Sequence, residues 1–547
     1  PTDLHNVVLP PFQRTHDAGV RTVMTTFSSV NGVPGTAHRG LLNGVLRRDW
    51  GFSGLVVSDW ASVTEMVTHG FAADNASAAA QALLAGVDMD MCSPAYSKHL
   101  ERLLGDGAIL EQHIDDAVRR VLRCKIELAD KRGEPTDGLL TASHLRVARE
   151  TARQSVVLLK NDDSVLPLDS SAVKKLAVIG PMADAPQQQL GCWSLDGKAE
   201  DSVTPLAALR ERLAGSAEVL YAKGAENTFS EDDSKLAAAV ATASKADAAV
   251  VFVGEDAVLS GEARCRTTLS VPGVQTELIR AVAETGVPTV VVFLAGRPLT
   301  IEQEVADADA VLYAWHPGTM AGPAIGDLLF GDASPSGKLP VTFPRSVGQV
   351  PIYYNHPNTG RPSSQDFEPL FGSGESDLAA RYQYRSHYLD EDHGPQFPFG
   401  YGLSYTTFEY DGIATSRSEL ISDQRLTLAA TVTNTGDTTA AEVVQLYVRD
   451  LVASSIRPVR ELKAFRRVTL EPGESRLIEF VLDADDLSYA SGNGERVLEP
   501  GDFEAWIGGD SEADLSVTFT LTEPDSADGA ASVMQLPTAT AGETPIR

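Results

Sequence analysis

The sequence predicts a multidomain fold, two successive α/β regions followed by an all-β sandwich. Three observations predict it. The 547 residues are enough for about three or four domains. Up to about residue 345, short apolar strands alternate with helical stretches, the pattern of parallel sheets. From about residue 405, short segments alternate apolar and polar residues between turn signals, the pattern of a β-sandwich.

In the first region the strands read as Thr22–Phe27, Leu55–Asp59 and Val87–Met91, with an Ala-rich helix over Ser77–Ala85 before the third. Ile114, Ala117, Val118, Val121, Leu122 and Ile126 recur at three- and four-residue steps, which predicts an amphipathic helix. Residues 131–146 are polar and read as a linker. The second region has the continuous apolar runs Lys175–Gly180, Ala248–Gly254, Thr289–Gly296 and Ala310–Trp315, suited to strands covered on both faces. Residues 346–404, rich in Pro, Gly, Tyr and His, read as a long connection over the surface. Strands over Leu426–Gly436, Glu442–Asp450 and Phe503–Gly508 follow, with turns at Glu471–Ser475 and Glu499–Phe503. Residues 525–547 read as a flexible tail.

Composition excludes several classes of function. With 43% hydrophobic and 22% charged residues the chain is neither disordered nor fibrous. No apolar run approaches the roughly 20 residues of a membrane span. The net charge of −30, from 45 cations and 75 anions, disfavours nucleic acid and anionic membranes and favours a neutral ligand. Four cysteines without a C-x-x-C pair make no disulfide scaffold. The strand at Val178–Ala185 lacks the G-x-G-x-x-G spacing of a dinucleotide site, and there is no G-x-S-x-G elbow of a serine hydrolase.

The strongest chemical signal is Trp50–Trp60, where an apolar strand runs into Ser58, Asp59 and Trp60. An acid at the C-terminal end of a barrel-type strand lies on the face where such folds hold active sites. Asp59 could equally cap the next helix. Trp60 could stack on a sugar ring.

The segments Leu9–Gly19, Val30–His38, Gly51–Trp60, Ala152–Asp162, Gly296–Leu299, Ala314–Gly318, Leu329–His356 and Phe397–Phe408 resemble glycoside hydrolase family 3, most closely its β-glucosidase branch of periplasmic type. The resemblance covers nearly the whole chain. It implies the C-terminal half of a (β/α)8 barrel (1–130), an α/β sandwich domain (147–345) and a fibronectin type III-like domain (405–524). It implies a retaining glycosidase that needs no cofactor or metal, acting on a β-linked oligosaccharide or an aryl or alkyl β-glucoside, in the periplasm or outside the cell.

By the same resemblance Asp59 is the nucleophile. The acid/base is the Glu of a short E-A-x-x-R stretch, here Glu262, on a loop after the strand Ala248–Gly254 that also offers Glu255 and Asp256. Glu255 is expected to order the loop and Asp256 to be solvated. Trp60, Met24 and Arg266 are candidate substrate contacts. Phe27 stands where many relatives carry a tyrosine. About 200 residues separate the two carboxylates, so the active site is expected in a cleft between domains. Strand-end packing is expected of Trp315 and His316, while Trp193 could line a cleft or the core. Asp88 and Asp90 are expected to satisfy helix N-termini and loops rather than bind metal. Asp390, Glu391 and Asp392 are expected in a solvated loop, and Cys192 and Cys265 as free thiols.

A complete barrel of this kind takes about 250 residues, and the resemblance begins downstream of where the family's Lys-His sugar-binding motif would fall; the Lys98-His99 pair of this sequence lies beyond Asp59. With Pro1 first, the expectation is an N-terminally truncated family member that alone has weak or no activity. The rivals are a β-xylosidase or other β-glycosidase of the family, and a non-catalytic carbohydrate-binding fragment.

Overall fold

The structure is a computed structural model. It describes residues 2–129, 133, 138–363, 385–422, 424–492, 494–522 and 534–535. The chain forms two compact units, the first from the described residues up to 137 together with 488–498 and 534–535, the second from the remaining described residues up to 522.

In the first unit β1 (Thr22–Met24) enters a tight hairpin of β2 (Ser29–Val30) and β3 (Val33–Pro34). β4 (Leu55–Val57) pairs parallel with β1, and Val57 bridges parallel to Met89. The three predicted barrel strands therefore sit side by side. The helix Asn75–Ala85 presents small residues at every contact turn, with Ala78, Ala79 and Ala82 fully buried against Val56, Val63 and Met66. Asp74 caps it through the Ser77 amide at 2.7 Å, satisfying one of the amides that a helix start leaves unpaired. The helix Glu111–Ala129 forms as its periodicity predicts, yet only Ala117 is buried. Val118, Leu122 and Ile126 stay exposed, so the apolar stripe faces outward instead of into a core.

The second unit opens with a helix over Ala142–Ser155. It begins inside the stretch read as a linker, because Thr141 caps it by accepting from the His144 amide. Of that stretch, 131, 132 and 134–137 lie outside the described residues. The central sheet then takes shape from β5 (Val157–Asn161), β6 (Lys175–Ile179), β7 (Glu218–Ala222), β8 (Ala248–Gly254), β9 (Thr289–Leu294) and β10 (Ala310–Tyr313). Their order is β5-β10-β9-β8-β6-β7, parallel except for β5. Successive side chains of a strand point to opposite faces. Val251, Val253, Val291 and Phe293 thus enter one core, under the helices Leu236–Ala243 and Gln275–Ala283. Val250, Phe252, Val290 and Val292 enter the other, under Pro205–Arg212 and Ala321–Leu329. This two-sided burial is why the strands read as unbroken apolar runs. Part of the segment read as a surface connection instead packs inward: Phe397 is buried in the first core, Tyr401 lies against it, and Leu403 bridges to Leu158 on β5. Its residues 364–384 lie outside the described residues.

The sandwich comprises β11 (Phe408–Thr415), β12 (Glu419–Ile421), β13 (Leu426–Asn434), β14 (Ala440–Asp450), β15 (Glu461–Leu470) and β16 (Ser475–Leu482). Burial alternates strictly along β13, as expected of a sheet with one wet face. Within the second unit the sandwich is joined to the α/β part by buried polar contacts. Glu442 accepts from Lys338 Nζ at 2.9 Å, and Gln445 donates to the Gly400 carbonyl.

The chain then leaves the sandwich. β17 (Tyr489–Ala490) and β18 (Arg496–Leu498) belong to the first unit, where the Asn6 side chain pairs with both backbone groups of Ala490. The domain read as one block over 405–524 is therefore interrupted. β19 (Gly501–Gly508) begins within the expected turn at Glu499–Phe503 and, with β20 (Ser516–Thr522), completes the sheet β12-β20-β19-β14-β15 opposite β11-β13-β16. Met534–Gln535 forms β21, paired with β18. The rest of the stretch read as a flexible tail, apart from these two residues, lies outside the described residues.

Candidate active site

Asp59 follows β4 after one residue, Ser58, at the C-terminal end of the parallel strands, where strand-end residues of a barrel meet substrate. Its backbone is held from three sides. The Asp59 amide donates to Thr25 Oγ1 at 3.3 Å, its carbonyl accepts from Ser58 Oγ at 2.9 Å, and the same carbonyl accepts from the Ser62 amide at 3.1 Å. Thr25 continues through Thr36 to Ser62 as a buried hydroxyl chain with spacings of 3.0 and 2.9 Å. The carboxylate Oδ1 accepts from the Trp60 amide at 2.7 Å. Ala61, in the left-handed region at φ 57°, turns the chain sharply and leaves Trp60 64% exposed beside the carboxylate. Met24, the last residue of β1, is also exposed, and Phe27 is half-buried.

Asp88 and Asp90 are structural, for different reasons. Asp88, with its side chain 1% exposed, is pinned by Arg47 at 2.6 Å, Arg120 at 2.7 Å and the Val56 amide at 2.9 Å; it braces β4 rather than a helix start. Burial lowers the Arg47 pKa, opposed by the adjacent Asp88 charge. Asp90 accepts from Ser93 Oγ at 2.7 Å and from the Tyr96 amide at 3.2 Å, next to the start of a helix, as expected. No group of three or more His, Cys, Asp or Glu among the described residues could hold a metal ion.

In the second unit β8 ends at Gly254, whose Cβ, if present, would lie 1.9 Å from the Leu294 carbonyl oxygen. The chain then enters the loop that carries the acids. Glu255 is fully buried and bound by two guanidinium groups, Arg266 at 2.7 Å and Arg297 at 3.1 Å. Arg266, a candidate substrate contact, thus directs one nitrogen to Glu255 and another to the Ser270 carbonyl at 3.0 Å. Glu262 is exposed on the same loop, followed by Ala263 in the left-handed region at φ 58°. Asp256 is anchored instead of solvated, accepting from Thr228 Oγ1 at 3.0 Å.

Ser260 Oγ lies 3.1 Å from His316 Nε2. Burial holds the His316 pKa below the usual imidazole value, and the Glu255 charge acts in the opposite direction. Trp315, at φ 57°, packs edge-on against Tyr313 and Phe343, which is strand-end packing. Trp193 is exposed, as are the free cysteines Cys192 and Cys265. Glu391 is half-buried and accepts from Ser346 Oγ at 2.5 Å, whereas Asp390 and Asp392 are exposed. Arg297 and Thr25 were not singled out from sequence. The Gly-Arg-Pro-Leu stretch that contains Arg297 was the available signal.

Residues 1–124 match the model of the glycosyl hydrolase family 3 N terminal domain, residues 156–405 that of the family 3 C-terminal domain, and residues 442–511 a fibronectin type III-like domain. A periplasmic beta-glucosidase of Salmonella typhimurium is 41% identical, over 95% of this chain and 70% of that relative. The chain belongs to glycoside hydrolase family 3. A beta-xylosidase of Formosa agariphila is 37% identical, over 95% of this chain and 72% of that relative. The crystal structure of a beta-glucosidase from Listeria innocua in complex with glucose superposes with a TM-score of 0.87 at 35% identity, covering 95% of this chain and 70% of that one. As a family 3 member, this chain is a glycoside hydrolase of barrel, α/β and fibronectin type III-like parts. Among its described residues no helix is long and apolar enough to cross a membrane.

Proposed function

We propose that the chain releases glucose from the non-reducing ends of β-glucosides by double displacement, with Asp59 as nucleophile and Glu262 as acid/base. The observation that carries this reading is Asp59 itself: a carboxylate at the end of a parallel strand, its backbone fixed by three hydrogen bonds and one oxygen oriented by the Trp60 amide. Such fixation keeps a nucleophile in attack geometry without reorganisation. In the first step Glu262 donates its proton to the leaving oxygen while Asp59 attacks the anomeric carbon and forms a covalent glycosyl-enzyme. In the second, Glu262 takes a proton from water, which displaces Asp59 with net retention. This chemistry requires the two carboxyl groups to flank one glycosidic bond, roughly 5–5.5 Å apart. Trp60 and Met24, exposed beside Asp59, offer apolar surface to a sugar ring. Arg266 acts indirectly, through Glu255. By likeness to the Salmonella relative the protein works in the periplasm or outside the cell.

Intact mass after incubation with a 2-fluoro-β-glucoside bearing a good leaving group tests the reading. One fluoroglucosyl adduct, lost in Asp59→Asn, is expected. An adduct that persists in Asp59→Asn would overturn the assignment of the nucleophile. The similarity to a beta-xylosidase favours a second substrate class, and labelling by the 2-fluoro-xyloside but not the glucoside would establish it.

A further inference from the structure

We propose that Glu255 is a positioning residue, the hub of a buried clamp that fixes the loop bearing Glu262. The inference rests on Glu262 being the acid/base and adds how that group is held. The loop runs from Leu259 to Ser270 between β8 and the helix Gln275–Ala283. A lone exposed carboxylate on an eleven-bond excursion would sample many positions, and a misplacement of about 1 Å can cost about 10²-fold in rate.

The loop is pinned at carbonyls on both sides of Glu262. Arg297 Nη2 donates to the Leu259 carbonyl, three residues before Glu262, and to the Arg264 carbonyl, two residues after it, at 2.8 Å. Arg266 Nη2 donates to the Ser270 carbonyl at 3.0 Å. Both guanidinium groups are aimed by one buried carboxylate, Arg266 Nη1 on Glu255 Oε1 and Arg297 Nε on Glu255 Oε2. The Tyr313 hydroxyl donates to the Arg297 carbonyl, which ties the clamp to the end of β10. On the remaining side, His316 holds Ser260, two residues before Glu262.

Glu255 itself cannot move. Its amide donates to the Leu294 carbonyl at 2.9 Å. The preceding Gly254 amide and carbonyl are both bonded by the buried Gln275 side chain, at 2.9 and 2.8 Å. Buried between two guanidinium groups and engaged through both oxygens, Glu255 has no free oxygen to offer a substrate. Neutralising it would leave two partly buried guanidinium groups unpaired and release the carbonyls that define the loop.

The test compares Glu255→Gln, Arg297→Lys and Glu262→Gln in the full chain. Arg297→Lys keeps the charge and guards against a Glu255 variant that does not fold. The first readout is hydrogen exchange over residues 259–270. Glu255→Gln and Arg297→Lys are expected to speed exchange there about tenfold or more, with Glu262→Gln unchanged. The second is kcat/KM on 2,4-dinitrophenyl and methyl β-glucosides. Loss of general acid catalysis costs about 10²–10⁴-fold where the leaving group needs protonation and little where it does not. Glu262→Gln is expected to show that split in full, and the two clamp variants a smaller one, about 10–10²-fold on the methyl glucoside. Unchanged protection of the loop in both clamp variants, or equal loss on both substrates, would overturn the clamp. Absence of the split in Glu262→Gln would instead overturn the acid/base reading, with the exchange result still deciding the clamp.

Discussion

Replacing Asp88 by Asn should weaken the first unit far more than the conservative change suggests. The carboxylate makes charge-assisted bonds of 2.6 Å to Arg47 and 2.7 Å to Arg120, and a third to the Val56 amide. Bonds to charged groups contribute about 1.5–3 kcal/mol each, so the two arginines together give about 3–6 kcal/mol. Arg120 is more exposed than Arg47, which moves the expectation to the lower end. Breaking one partner of a buried pair costs about 3–5 kcal/mol by independent measurement, and the two routes agree near about 3 kcal/mol. That is roughly a 10²-fold rise in the opening constant, a large share of a domain's stability of about 5–15 kcal/mol. Hydrogen exchange of the Leu55–Val57 amides reports the change on the strand that leads into Asp59. Asp90→Ala, which removes a helix-start contact, is the control and should cost about 1 kcal/mol. An Asp88→Asn effect below about 1 kcal/mol, or equal to that of Asp90→Ala, would refute the bracing role.

Two further outcomes are expected. Trp60→Ala should raise KM for a β-glucoside about three- to tenfold while leaving the unfolding midpoint within about 0.5 kcal/mol of wild type, since the side chain is 64% exposed. An unchanged KM would remove Trp60 from the sugar site. For His316, burial lowers the native pKa against the opposing Glu255 charge, so below about pH 6.5 the unfolded chain takes up a proton that the native imidazole refuses. Stability from the neutral imidazole is present above that pH and is lost as pH falls through the native value. The stability gap between wild type and His316→Asn should therefore narrow between about pH 7.5 and about pH 5; a constant gap would contradict a neutral buried His316.

The strands most legible in the sequence were those buried on both faces, such as Ala248–Gly254 and Thr289–Leu294, because two-sided burial leaves an apolar run with no competing periodicity. The edge strands β5 and β7 went unread. β7 has Tyr221 and Glu218 exposed, and β5 ends in Lys160 and Asn161, so each run is short and mixed. The helix Ala142–Ser155 was hidden by its polar composition, with a single threonine cap as its signal. At the site, Asp59 and the acid-bearing loop could be located because strand ends are readable. The distinction between Glu255 and Glu262 is a matter of burial and of which arginines return to the strand end, and that depends on Arg297, 42 positions away from Glu255.

The excursion of β17 and β18 into the first unit bears on the order in which the protein can be made. Asn6 bonds a residue 484 positions downstream, so the residues around Asn6 wait through the synthesis of the whole second α/β part and most of the sandwich before they can close this contact. Non-local contacts of this kind are slow to form, and a unit left waiting exposes apolar surface in the meantime. A nick or truncation within 488–498 would therefore be felt around Asn6, in residues made long before the segment that closes on them.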